Sequence, residues 1–124
     1  MILFGAAEKG KLCSPVPITS LESLLETLGH PPKHSEGLLF AIQSLLHQID
    51  LIYIRVEEEG FSTEDYVRGL KLLKQKPLHV SVVAISMPGV GQKELLHLAT
   101  PICHFYRTVL LISEKDLYDY LTEK

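Results

Sequence analysis

The residues whose types and spacing could do chemistry lie in three short loops. The first is Glu57-Glu58-Glu59-Gly60, followed closely by Ser62 and Thr63. The second is Ser86-Met87-Pro88-Gly89-Val90-Gly91, and the third begins at Ser113-Glu114. Each loop follows an apolar run that reads as a strand. In open parallel sheets, ligands bind just beyond the carboxyl ends of the strands. Glu57, Glu59, Ser62, Thr63, Ser86, Gly89, Gly91 and Ser113 are therefore expected to share one rim, as a ligand or partner site. Carboxylates, hydroxyls and a glycine turn would make a small acidic pocket, with a weak anion nest at Gly89-Val90-Gly91. Helix capping and solvated turns account for the spacing of the same residues equally well.

Stronger chemical signatures are missing. A phosphate loop needs G-x-x-x-x-G-K-[ST] or G-x-G-x-x-G after a strand. Gly89-Val90-Gly91 has the location but lacks the third glycine and the Lys-Ser pair. Of the six histidines, His30 and His34 have usable metal spacing, but Pro31 and Pro32 between them prevent a shared helical face. Neither C-x-x-C nor H-E-x-x-H occurs, so no metal site is expected. No G-x-S-x-G elbow is present, and adjacency of Cys103 and His104 does not make a catalytic dyad. Lys71, Lys74 and Lys76 suit a helix C-terminus and its dipole rather than nucleic acid.

The elements that must position these loops alternate. Met1 to Ala7 reads as a strand. Leu12 to Ile18, with Pro15 and Pro17, reads as at most an edge strand. Thr19 and Glu22 fit a capping box, and Leu21, Leu24, Leu25 and Leu28 follow at helical spacing before Gly29. Ser35 is expected to cap a second helix carrying Leu38, Leu39, Ile42, Leu45 and Leu46. Asp50 to Val56 is a nearly continuous apolar strand, as in a sheet covered on both faces. Ser62 is expected to cap the third helix. Leu78 to Ser86 and Phe105 to Ile112 read as further strands, with a short helix from Gln92 to Ala99 between them, before Pro101. Ser113 caps a last helix whose buried stripe should be Leu117, Tyr118 and Leu121. From Asp50 onward the order is β-α-β-α-β-α. It points to one α/β domain over residues 1–124, a three-layer sandwich. Its sheet would be mostly parallel and four- or five-stranded, with helices on both faces.

Length and composition fit that architecture. The chain has 124 residues, 46% of them hydrophobic and 22% charged, which suits a globular domain and excludes wholesale disorder. Its net charge of −3 offers no electrostatic basis for nucleic-acid binding. No run approaches the ~20 apolar residues of a membrane span. The N-terminus lacks the pattern of a secretory signal, and two cysteines are expected as free thiols, so a cytoplasmic location is expected.

Three families resemble parts of the chain. Asp50-Leu51-Ile52-Tyr53-Ile54 looks like the strand before the phosphoacceptor of a response-regulator receiver. The acceptor aspartate would fall at Arg55, and the acidic pair after the first strand is absent, which implies a silent receiver at most. Val80 through Pro88 to Leu96, then Leu110-Leu111-Ile112-Ser113, resembles the second half of a STAS domain. That resemblance would place Ser62 or Thr63 near a regulatory phosphosite. His34-Ser35-Glu36-Gly37-Leu38-Leu39, followed by Leu45-Leu46, is similar to a helix motif of TsaB-type proteins, the actin-like, non-catalytic partners in a tRNA modification. Gly60-Phe61-Ser62-Thr63 echoes a turn of that family, and Leu117-Tyr118 lies where it has an acidic-Val-Tyr pair. The family's D-T-S strand is missing here.

Each resemblance implies an α/β domain that docks a partner. The expectation is a non-catalytic interaction or regulatory module without a cofactor, binding a protein partner or forming a homo-oligomer, without nucleic acid or membrane. The alternative is a small-ligand or anion-binding enzyme using the rim loops.

Overall fold

The computed structural model describes residues 1–123. Strand β1, Ile2–Gly5, sits at the centre of the sheet. Ile2, Leu3 and Phe4 are fully buried, because the strand is covered on both faces. It pairs in parallel with β3, Leu51–Arg55, and with β4, Ile85–Ser86. Beyond β4 lies β5, Leu110–Leu111, also parallel. On the other edge, β2, Val16–Ile18, runs antiparallel to β3. The order is β2-β3-β1-β4-β5, a mostly parallel five-stranded sheet. An edge position suits β2, since Pro17 has no N–H for a ladder.

Helices cover both faces, as expected from the alternating pattern. Helices α1, Leu21–Leu28, and α2, Gly37–Leu46, connect β2 to β3. Their Leu24, Leu28, Leu38 and Ala41 pack with Leu3, Leu51 and Tyr53. Helices α3, Thr63–Gln75, and α4, Lys93–Tyr106, lie on the opposite face. There Tyr66, Leu70, Leu73, Leu95 and Ile102 pack with Ile2, Phe4 and Ile54. The connection from β1 to β3 and that from β3 to β4 run in opposite directions along the sheet. Crossovers of one hand then deliver their helices to opposite faces. The strand order thus reverses around β1, which makes its carboxyl end the switch point of the sheet.

Several elements differ from their sequence expectation. The sheet uses only Ile85 and Ser86 of the run from Leu78. Ile2, the first residue of β1, lies opposite Ile85 and donates its N–H to the Ala84 carbonyl at 3.0 Å, so the segment before Ala84 runs past the start of that strand, and Val80 and Val83 are exposed. Helix α4 does not end before Pro101 but continues to Tyr106. Leu95, Ala99, Ile102 and Tyr106 keep helical spacing past the proline, and their burial outweighs its cost of about 3 kcal/mol. The last strand therefore shrinks to Leu110–Leu111. The N-cap of α1 is Ser20, whose hydroxyl accepts the Ser23 N–H at 3.0 Å, and not Thr19. Ser113 does cap the final helix α5, Glu114–Thr122, accepting the Asp116 N–H at 3.1 Å. However, the stripe of Leu117, Tyr118 and Leu121 is exposed, and only Asp116 of α5 is buried. No helix among the described residues is long and apolar enough to cross a membrane.

Close approach of helix to sheet depends on small residues. A Cβ on Gly69 of α3 would stand 2.7 Å from Cε2 of Phe4. Gly69→Ala is expected to destabilise the fold by about 1–3 kcal/mol through overpacking, read from the urea midpoint; an unchanged midpoint would show that α3 can back away.

Buried titratable groups add a pH dependence. Burial, helped by the Asp65 carboxylate, raises the Cys13 thiol to about 11 from 9.0. Burial also pushes up the Tyr53 and Tyr66 phenols and the Cys103 thiol. Above about pH 9 the unfolded chain releases these protons while the folded chain keeps them, so stability falls as pH rises. Urea midpoints should decline steadily from pH 9 to 11; a flat profile there contradicts this account.

Candidate functional site

The loop after β3 carries Glu59 to the switch point, and local contacts hold it there. The Val56 N–H donates to the Gly5 carbonyl at 2.9 Å, keeping β1 and β3 together to their ends. The Glu57 N–H donates to Asp65 Oδ2 at 2.8 Å. Ser62 Oγ accepts the Glu58 N–H and donates to the Glu58 carbonyl. This exchange, not a cap on α3, is the role of the Ser62 hydroxyl. Gly60 takes φ 81°, and its N–H donates to the buried Tyr66 hydroxyl at 2.8 Å.

So anchored, Glu59 reaches across the sheet end to the N-terminus of α2. Its Oε1 accepts the Gly37 N–H at 2.7 Å, the Ser35 hydroxyl at 3.0 Å and the Ala6 N–H at 3.2 Å. Its Oε2 accepts the Glu36 N–H at 2.6 Å. A helix N-terminus presents unpaired N–H groups and positive potential, which is why anions bind there. Here the chain's own carboxylate fills that position. Ser35 thus does not cap α2; the flanking residue is Glu36, with no side-chain cap, and Glu59 does the capping. The geometry requires glycine on both sides. A Cβ on Gly37 would lie 2.8 Å from Cα of Gly5, and the converse distance is also 2.8 Å. Beside them the Tyr53 hydroxyl donates to the Ala6 carbonyl at 2.8 Å, and burial keeps that phenol protonated.

Outside this buried knot, a cleft of about 690 Å³ opens across the rim. The loops after β3 and β4 meet back to back at its base, where a Cβ on Gly60 would lie 2.6 Å from the Gly89 carbonyl oxygen. Gln92 Nε2 ties them, donating to the Gly60 carbonyl at 2.7 Å. The third wall is α5. Asp116 Oδ2 accepts the Gly89 N–H at 3.0 Å, and Glu123 Oε2 accepts the Lys93 N–H at 2.5 Å. Glu123 thereby supplies the N-terminal cap that Gln92 does not give α4. Five carboxylates line the cleft, those of Glu36, Glu59, Asp116, Asp119 and Glu123, against Lys115 and His34. Two phenyl rings also face it, Phe40 at 38% exposure and Phe61 at 79%.

Of the residues expected at the rim, Glu59, Gly89, Gly91 and Ser113 line this cleft. Glu57, Ser62, Thr63 and Ser86 do not. Ser86 is a strand residue paired with Leu3 and Leu111, and Thr63 opens α3. The Gly89-to-Gly91 turn holds no free anion nest. The Gly89 N–H goes to Asp116, the Val90 N–H to the Met87 carbonyl, and the Gly91 N–H to its neighbour Gln92 Oε1 at 3.1 Å. Sequence reasoning missed Ser35, Glu36, Phe40, Phe61 and the acidic side of α5. The last had a signal, since Asp116, Asp119 and Glu123 recur at helical spacing.

Among the described residues, no three His, Cys, Asp or Glu side chains converge to hold a metal ion. Both cysteines are buried, with thiol pKa values raised, the reverse of an activated nucleophile. No family model, curated protein or solved structure matches this chain.

Glu59→Ala removes the acceptor from three backbone N–H groups and one hydroxyl, and is expected to cost about 2–4 kcal/mol. The vacated donors then constitute an open anion site. Millimolar inorganic phosphate should raise the melting temperature of Glu59→Ala while leaving the parent unchanged in differential scanning fluorimetry. Equal responses of the two proteins would show that Glu59 does not occupy an anion position.

Proposed function

We propose that this protein is a non-catalytic α/β docking module that binds a protein partner across the rim cleft. The observation that carries this reading is Glu59. The one position at the switch point suited to an anionic substrate is filled by the chain's own carboxylate. What the rim leaves outward is an acidic surface with two exposed phenyl rings. That combination fits a partner segment bearing lysine or arginine, whose cation meets the carboxylates and whose stem lies on the rings. The surplus of carboxylates favours encounter with a basic partner, and salt screens it. Internal hydrogen bonds across Gly60, Gly89, Gln92 and Asp116 keep the cleft pre-shaped, which limits the ordering cost of binding.

The test is anisotropy titration of a fluorescent Arg/Lys-rich peptide. Binding should weaken with salt and fall about tenfold in Glu36→Lys combined with Asp119→Lys, both exposed positions. An acidic peptide of equal length should not bind. Absence of binding at low salt, or equal affinity for the acidic peptide, would sink the proposal.

A further inference from the structure

Helix α5 is held to the body by one side only. Asp116 bonds the Gly89 N–H, Glu123 bonds the Lys93 N–H, and Tyr120 lies edge-on to His97 at 5.9 Å. The other side carries Leu117, Tyr118 and Leu121, exposed at 42%, 67% and 67%. Glu114 is three residues before Leu117, and so shares that side. The helix therefore presents an amphipathic stripe, two turns long and acidic at one end, with nothing packed on it in the protomer.

A matching surface exists elsewhere on the same chain. Between α3 and α4 runs an apolar groove of about 400 Å³. Leu70 and Ile102 form its floor, and Leu98 and Pro101 its wall. Pro101 brings no N–H of its own to that wall. The lip is basic, with Lys71 and Lys74 on the exposed side of α3. Apolar stripe and apolar groove are complementary in character, and so are the acidic helix and the basic lip. An amphipathic helix laid in a groove through anchors three and four residues apart is a recurrent mode of recognition, and Leu121 stands at those spacings from Tyr118 and Leu117. The stripe cannot reach its own groove, because Asp116, Tyr120 and Glu123 hold α5 with the stripe facing outward.

We infer that the chain self-associates, α5 of one copy seating Leu117, Tyr118 and Leu121 in the α3–α4 groove of a second, with Glu114 against Lys71 and Lys74. This surface is separate from the rim, since none of Leu117, Tyr118 and Leu121 lines the cleft. Cleft binding and self-association thus stand or fall independently.

Sedimentation velocity of the full chain, from low to high micromolar concentration, tests it. A concentration-dependent rise in mass is expected. Leu121→Asp and Leu98→Asp change exposed side chains on the two halves of the contact, and each should weaken association at least about tenfold. Lys71→Glu with Lys74→Glu should weaken it too. Mixing that variant with Glu114→Lys should recover hetero-association. Binding of the basic peptide should be the same in Leu121→Asp as in the parent. A monomer at every concentration overturns the inference. So does association that survives Leu121→Asp or Leu98→Asp, or failure of the charge-reversed pair to recover.

Discussion

The seating of Glu59 at the N-terminus of α2 is the interaction on which the rim of this molecule depends. Four donors from two chain segments, Ala6 after β1 and Ser35 to Gly37 at the start of α2, meet one carboxylate from the loop after β3. The arrangement satisfies helix N–H groups that would otherwise be unpaired, and it places negative charge where the helix dipole favours it. It also joins three segments that are far apart in sequence at the point where the strand order reverses. Gly5 and Gly37 permit it, because any side chain at either position would separate α2 from β1.

From this knot the rest of the rim follows outward. Fixing Glu59 fixes Gly60, whose contact with Gly89 sets the spacing between the loops after β3 and β4. Gly89 in turn receives Asp116, which draws the start of α5 onto the rim. The first and last of these steps pair backbone N–H groups with a carboxylate, and between them Gln92 Nε2 donates to the Gly60 carbonyl. The result is a rim whose backbone donors are taken up by Glu59, Asp116 and Glu123, while the carboxylates of Glu36 and Asp119 remain exposed. The exposed pair is what the proposed basic partner would meet. The same attachment leaves the far side of α5 without a partner in the protomer.

Much of the architecture was legible from the chain. The β-α-β-α-β-α order from Asp50, the near-continuous apolar strand at Leu51–Arg55 and the edge proline Pro17 of Val16–Ile18 all translate directly into sheet positions. The structural failures were at places where tertiary burial overrides a local rule. Pro101 favours a helix end, but Ile102 and Tyr106 continue the buried face beyond it. Leu117, Tyr118 and Leu121 have the spacing of a buried stripe, yet Asp116 and Glu123 attach the opposite side of the helix. Val80 and Val83 have strand propensity and no neighbouring strand to use it.

The sequence by itself determined the fold class and the likeness of the loops to caps. Periodicity, turn residues and cap chemistry are local properties, and one chain displays them openly. Only the tertiary structure decided which acid of Glu57-Glu58-Glu59 turns inward, and that Ser35 serves Glu59 instead of its own helix. Those choices rest on contacts between residues more than twenty positions apart. Such pairings depend on which segments the crossovers bring to one end of the sheet, and no local pattern carries that information.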